Sequence, residues 1–187
     1  MLLSLLLAFN LATYSTPTPI AAGWTDELNT ISSWAPRDGG MRAEAYSESP
    51  GAMTLRLAHV PDGFPYSYQW GGVTREATVD LGRYPVLVAR VLDVRPRSYT
   101  HLDVESRDYS GKPVTTLRTP TLVKGGLIVF DLGDTLGTDV RRLTLRINVG
   151  GAPEGAKCTY GWVRFVSRKG LALLRAHPDL QDVVLRP

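Results

Sequence analysis

Hydrophobic and polar residues alternate with a period of two along much of this chain. Met53–Val60 (MTLRLAHV) sets Met53, Leu55 and Leu57 against Thr54 and Arg56. Arg142–Val149 (RLTLRINV) sets Leu143, Leu145, Ile147 and Val149 against Arg142, Thr144, Arg146 and Asn148. Tyr99–Arg107 places His101, Asp103, Glu105 and Arg107 on one side and Leu102 and Val104 on the other. Successive side chains of a strand point to opposite faces, so each stretch reads as a strand with one face in a core. Leu127–Leu132 (LIVFDL) is almost continuously apolar and predicts a strand covered on both faces. From Gly23 onward, Gly and Pro punctuate the chain every 8 to 14 residues, leaving about nine short strand candidates. The pattern predicts an all-β fold: a two-layer, antiparallel, jelly-roll-like β-sandwich with short helical turns at the termini.

Two departures from alternation matter. Leu28, Ile31 and Trp34 recur every three residues, the spacing of a helical turn that caps an open end of the sandwich. Gly170–Ala176 (GLALLRA) predicts a brief helix ended by Pro178. Gly125-Gly126 is a two-residue hairpin turn by composition, and Asp108–Lys112 a longer loop. At the other end, Met1–Ala12 (MLLSLLLAFNLA) is uncharged and apolar, too short to span a bilayer. Polar residues follow from Thr13 to Pro19, then the small pair Ala21-Ala22. Residues 1–22 are therefore read as a signal peptide, although no Lys or Arg precedes the run. The expected plan is a sandwich domain over residues 23–168, a C-terminal tail over 169–187, and a secreted, periplasmic or cell-surface location.

Composition narrows the classes. The 187 residues carry 21 Lys+Arg against 18 Asp+Glu, and 17 of those cations are arginine. Acidic residues are mixed through the same strands, so the basic pI near 9.1 does not mark a nucleic-acid surface. The single cysteine, Cys158, excludes an internal disulfide framework and any multi-cysteine metal site. It reads as a core thiol.

Four segments taken together carry a resemblance: Ala77–Val91 (ATVDLGRYPVLVARV), Gly126–Leu132, Arg142–Val149 and Tyr160–Val166 (YGWVRFV). Asp80-Leu81, Tyr84-Pro85 and Leu87 form a corner phrase. Asp131-Leu132 follow Gly126 on a later strand, and Trp162-Val163-Arg164-Phe165 close the set. This order resembles the galactose-binding-like β-sandwich modules that accompany bacterial polysaccharide-degrading enzymes. The resemblance spans Trp34 to Arg168 and implies a sandwich fold and a carbohydrate ligand. Many such modules place an acidic residue before the closing aromatic strand, near a structural calcium; here Gly161 stands there. Glu44 and Glu48 remain as oxygen donors, short of the six or more a calcium takes. A structural calcium stays open, and no other cofactor or metal is expected.

Candidate ligand contacts fall in two places. Pro61–Gly72 (PDGFPYSYQWGG) holds Phe64, Tyr66, Tyr68 and Trp70 on one side if extended. Tyr66, Tyr68 and Trp70 suit the apolar faces of sugar rings, with Gln69 for a hydroxyl, while Phe64 reads as a core plug. The polar strand faces hold Arg56, Arg90, Asp103, Glu105, Arg107, Arg146 and Arg164. Arg90, Arg146 and Asn148 are the candidates there for hydroxyls or acidic groups; cross-strand ion pairing explains the same residues. Asn148 also stands beside Gly150-Gly151, as at a turn. No catalytic residue is assigned: there is no G-x-S-x-G elbow, and the three histidines are scattered. His101, Tyr66 and Arg107 are a set that could supply base-catalysed elimination of a uronate.

The expectation is thus non-catalytic binding of a polysaccharide or other glycan, acidic or neutral, by an exported sandwich with no transmembrane span after processing and no nucleic-acid partner. A polysaccharide lyase or hydrolase on the same fold, or a structural or adhesive envelope domain, are the alternatives.

Overall fold

The computed structural model describes residues 22–37, 41–57, 69–108, 110–151 and 155–176. The apolar N-terminal run, Phe64, Tyr66, Tyr68, His59 and the tail from His177 lie outside the described residues. The chain runs β1 (Ala22–Asp26), a 3-10 turn (Ile31–Ser33), β2 (Ala35–Pro36), β3 (Met41–Tyr46), β4 (Met53–Leu57), β5 (Gln69–Asp80) and β6 (Val86–Val94). It continues through β7 (Ser98–Arg107), β8 (Pro113–Arg118), β9 (Gly126–Asp131), α1 (Gly133–Leu136), β10 (Val140–Gly151), β11 (Lys157–Val166) and α2 (Arg168–Ala176).

These strands form two sheets packed face to face, as the alternation predicts. The first sheet has the order β8-β7-β10-β5, with β2 and the start of β3 beside β5. The second has β3-β4-β11-β6-β9, with β1 paired to the later half of β11. All pairings are antiparallel except β3 with β5, where Met41 and Arg42 run parallel to Gly71 and Gly72. Ala43–Tyr46 of the same strand then pair with β4, so β3 bridges both sheets and closes that side of the sandwich.

The core lies between the sheets. Leu102 and Val104 of β7, Leu143, Leu145, Ile147 and Val149 of β10, and Leu55 and Leu57 of β4 are all buried there. Each side chain of this size removed from water contributes about 1.5–3 kcal/mol. The Leu28–Trp34 segment, a 3-10 turn at Ile31–Ser33, buries Leu28 and Trp34 in this core. Asp26 accepts hydrogen bonds from the Leu28 amide (2.8 Å) and Trp34 Nε1 (2.7 Å), and pairs with Arg75. Cys158 and Tyr160 are fully buried; burial pushes the Cys158 thiol up to about 12 and rules it out as a nucleophile.

β9 is covered on both sides, as its apolar run predicts. Ile128 faces the main core, whereas Leu127 joins a second apolar cluster on the outer face of the second sheet. That cluster sets Val86, Val88, Trp162 and Val166 against Leu174 of α2. The glycine pair before β9 is not a hairpin turn, however. β8 and β9 belong to different sheets, and Gly126 is already paired with Val91 of β6.

Candidate functional site

The outer face of the first sheet is where polar residues collect. Register places three rows across β5, β10 and β7 on this face. Trp70, Gly150 and Tyr99 form the first; Gly72, Asn148 and His101 the second; Thr74, Arg146 and Asp103 the third, extended by Arg118 of β8.

Glycine shapes the first two rows. A Cβ on Gly150 would lie 2.3 Å from Cζ of Tyr99, so the tyrosine ring lies across this bare backbone. A Cβ on Gly72 would meet the Ile147 carbonyl oxygen at 2.4 Å. Gly150 thus makes room for the Tyr99 ring in the row that Trp70 begins. Trp70 is 39% exposed, and the Arg37 guanidinium sits 4.8 Å from its ring centroid. Tyr99 stacks in parallel on His101, with centroids 6.1 Å apart and planes within 6°.

The next rows form a polar network around the buried Asp103 and Glu105. Asp103, 2% exposed, accepts hydrogen bonds from Arg37 Nη1 (3.1 Å), Asn148 Nδ2 (3.1 Å) and Arg118 Nε (3.0 Å). Arg37 also donates to the Asn148 side-chain oxygen. Glu105 is held between Arg146 (2.6 Å) and Arg107 (2.7 Å). Glu76 takes Arg142 Nε at 3.1 Å and the Thr144 hydroxyl at 2.6 Å. Five guanidiniums thus meet three carboxylates. From behind, the fully buried Tyr160 hydroxyl reaches Thr100 Oγ1 (2.7 Å), which donates to the Asn148 carbonyl (2.6 Å) and ties this face to the core.

His101 is the unfinished member. It is 6% exposed, with Nε2 3.6 Å from Asp103 Oδ1 and Nδ1 buried without a hydrogen-bond partner. Burial holds its pKa below the ordinary 6.5, against the pull of Asp103 and helped by Arg118 and Arg37. With its pKa held below 6.5 the ring is mostly uncharged at neutral pH, and Nδ1 is enclosed within the protein. Burial likewise lowers the Arg37 pKa from its ordinary 12.5, opposed by Asp103; a guanidinium stays protonated regardless.

Of the seven residues singled out from sequence, Trp70, Arg146 and Asn148 share this face. Arg90 does not. It pairs with Trp162 in register on the outer face of the second sheet, so it cannot touch one ligand together with Arg146 and Asn148. Gln69 lies one residue out of phase with Trp70 and is 3% exposed, its Oε1 buried and without a partner. Tyr66 and Tyr68 are outside the described residues. Asn148 starts no turn: β10 continues through it to Gly151. The face also adds residues that sequence reasoning did not assign as contacts, namely Arg37, Tyr99, His101 and Arg118. The phase of Tyr99 with His101 was the available signal.

The catalytic alternatives find little support in this geometry. Arg107 stands six residues beyond His101 on one strand, about 20 Å away. Its guanidinium is spent on Glu105, Thr144 and the Gly111 carbonyl. Asp103 and Glu105 are each closed between two guanidiniums, so their oxygens are already occupied. Glu44 is bonded to Arg56 at 2.9 Å and Glu48 to Lys157 at 2.8 Å. Among the described residues, no three His, Cys, Asp or Glu side chains gather as a metal site requires. No helix there is long and apolar enough to cross a membrane, which says nothing of a β-barrel.

No protein-family model matches the sequence, and no curated protein matches it either. Among solved structures, the fold is similar to β-sandwich carbohydrate-binding modules at low identity. One is the C-terminal family 22 carbohydrate binding module of Clostridium thermocellum Xyn10B: 10% identity, TM-score 0.48, covering 82% of this chain and 98% of that one. Another is TmCBM27, described in terms of mannan recognition: 14% identity, TM-score 0.43, covering 81% and 99%. A third is TmCBM61 in complex with β-1,4-galactotriose: 11% identity, TM-score 0.42, covering 75% and 93%.

Proposed function

We propose that this protein is a non-catalytic carbohydrate-binding module whose ligand lies on the outer face of the first sheet. The observation that supports this most is the paired aromatic platform. The exposed Trp70 ring stands in the same row as Tyr99, whose ring covers the Gly150 backbone, and the next rows hold fixed polar groups. Aromatic faces take the apolar C–H face of a sugar at little entropic cost, and fixed polar groups take its hydroxyls. Arg37, partly exposed and bonded to Asp103, is held rigidly enough to orient such a hydroxyl, and the fully buried Asn148 fixes it from behind. The excess of guanidiniums over carboxylates favours a glycan bearing carboxylates or sulfates. An apolar N-terminal run of signal-peptide length supports export, where polysaccharide is met.

Affinity electrophoresis on xylan, mannan and β-1,4-galactan, and on polygalacturonate, alginate and chondroitin sulfate, tests both parts. Retention by the acidic gels, lost in Trp70→Ala and Tyr99→Ala, is the expected result. A folded protein that migrates freely through every gel refutes carbohydrate binding. Retention by neutral gels alone refutes the acidic preference.

A further inference from the structure

The charges on the outer face of the first sheet are sorted by depth. The side chains of Asp103 and Glu105 are 3% and 5% exposed, whereas Arg118, bonded to Asp103, is 65% exposed. Arg37, Arg146 and Arg107, the other guanidiniums on these two carboxylates, are partly exposed. Two anions thus lie beneath four cations, and among the described residues a molecule approaching here meets positive charge. An ordinary solvated ion pair shows both signs. In the pairs Arg56–Glu44 and Lys157–Glu48, which involve the second sheet, the carboxylates are 47% and 55% exposed. Further along the first face, Glu76 stands 45% exposed beside Arg142, so the cationic stretch ends there.

Within this stretch Arg118 has donors to spare. Arg107 and Arg146 share Glu105, and Arg107 is also bonded to Thr144 and the Gly111 carbonyl. Arg118 stands opposite Asp103 in register, on the edge strand β8, and donates Nε to one carboxylate oxygen at 3.0 Å. That bond uses Nε, so on a side chain this exposed the two terminal nitrogens are turned to solvent. Arg37 Nη1 holds the other oxygen of Asp103 at 3.1 Å, and the same guanidinium lies against the Trp70 ring. One buried carboxylate therefore fixes two guanidiniums, the second of them in contact with the aromatic platform. Burial is the main cause of the lowered Arg37 pKa, and the like charges of Arg146 and Arg118 add to it. Like charges crowd above Asp103, and an anion bound there relieves their repulsion. A guanidinium already held at Nε offers a fixed fork to the oxygens of a carboxylate or sulfate.

We infer that Arg118, with Arg37 beside it, forms an anion subsite that takes a carboxylate or sulfate of the glycan chain stacked on Trp70. Asp103 is its positioning residue. The inference rests on the carbohydrate reading of this face, but the subsite can be tested apart from it. Inorganic sulfate is titrated at constant ionic strength into the ¹⁵N-labelled full chain while the arginine Nε–H resonances are followed by NMR. The expected result is a saturable shift at Arg118 and none at Arg56 on the other sheet. An unmoved Arg118 signal overturns the subsite, whatever the face binds, and so does an equal shift at Arg56. A shift confined to Arg118 in a protein that no glycan gel retains overturns the carbohydrate reading and leaves the subsite standing.

Calorimetry then tests specificity, with polygalacturonate and its fully methyl-esterified form as a charged and an uncharged version of one chain. The quantity read is the ratio of the two affinities. Arg118→Gln narrows the preference for the acid about tenfold, the loss of one charge-assisted hydrogen-bonding edge. Arg56→Gln removes a cation from the other sheet and keeps the wild-type ratio. An unchanged ratio in Arg118→Gln overturns the subsite, even where both affinities fall, because that is the mark of a structural role. Equal narrowing by Arg56→Gln overturns it as well, since net charge then explains the preference. Dextran sulfate beside polygalacturonate distinguishes the two anions. Far-ultraviolet circular dichroism and the melting temperature confirm that the variants are folded; if Arg118→Gln is not, the sulfate titration of the wild type decides.

Discussion

The two outer faces of this sandwich have the same strand alternation and opposite fates. On the second sheet, outward Val86, Val88, Trp162 and Val166 are apolar and are closed by Leu174 of α2 into a small additional core. On the first sheet, the outward residues of β7 and β10 are His101, Asp103, Glu105, Arg146 and Asn148, and among the described residues no helix packs on them. Yet four of these five are less than 9% exposed. Burying apolar surface under a helix needs no explanation beyond the hydrophobic effect. Burying charges on a face does, because each must be matched by a partner, and a hydrophobic replacement is often as stable. Under the proposed function, the costly face is the one kept for recognition.

Substitutions can pull the two faces apart. Trp162→Ala opens a cavity in the covered face and should destabilise the fold by about 4 kcal/mol, lowering the melting temperature by about 10 °C. Glycan affinity of the folded fraction should not change. Next in size, Asp103→Ala should cost about 3 kcal/mol, because it leaves Arg37 and Asn148 unpaired in a buried setting; here stability and glycan affinity should fall together. Urea denaturation with calorimetry on the same preparations reads both. If Trp162→Ala weakens binding as much as Asp103→Ala does, the division between a structural and a recognising face is wrong.

Trp70→Ala is the inverse case. The ring is 39% exposed and touches Arg37 rather than the core, so its removal should cost less than about 1 kcal/mol of stability. Glycan affinity should nevertheless fall by about tenfold or more, the loss of a stacking face. A variant that is much less stable but binds normally would reassign Trp70 to structure and move the site elsewhere on the face.

How far this was legible in the sequence follows from what a period of two encodes. It separates inward from outward, and so His101, Asp103, Glu105 and Arg107 were assigned correctly to one side of β7. It also showed that β9 must be covered twice. It does not say which of two outer faces an outward residue occupies, which is why Arg90 and Arg146 looked equivalent and are not. Strand order, which decides that, depends on crossovers such as the one between β8 and β9, and two glycines there imitated a hairpin. Gly150-Gly151 misled in the same way. Glycine next to Asn148 suggested a turn, but Gly150 lies within a strand because the Tyr99 ring needs the space of a Cβ. Arg37 follows a two-residue strand and has no periodic neighbour to betray its phase, so its position over Trp70 could be seen only in three dimensions.

The smallest expected effect is a pH dependence confined to the recognising face. His101 is faced by Asp103 on its own strand, by Arg118 of β8 and by Arg37, and it stacks on Tyr99. Burial depresses its pKa in the folded protein below the ordinary 6.5 that the unfolded chain restores. Between those two values the unfolded chain binds a proton that the folded protein does not, so unfolding is favoured as the pH drops. The stability contributed by a neutral His101 is therefore fully present above pH 6.5 and declines as the pH falls through the folded pKa. Carboxylates with ordinary pKa values near 4 titrate below most of this window. Melting temperatures from pH 8 to pH 5 should fall more steeply for wild type than for His101→Gln, which keeps a polar side chain but cannot titrate. Trp162→Ala, altered on the other face, should keep the wild-type slope. Parallel curves for wild type and His101→Gln would mean that burial does not hold the imidazole uncharged and that His101 takes no part in the pH dependence of stability.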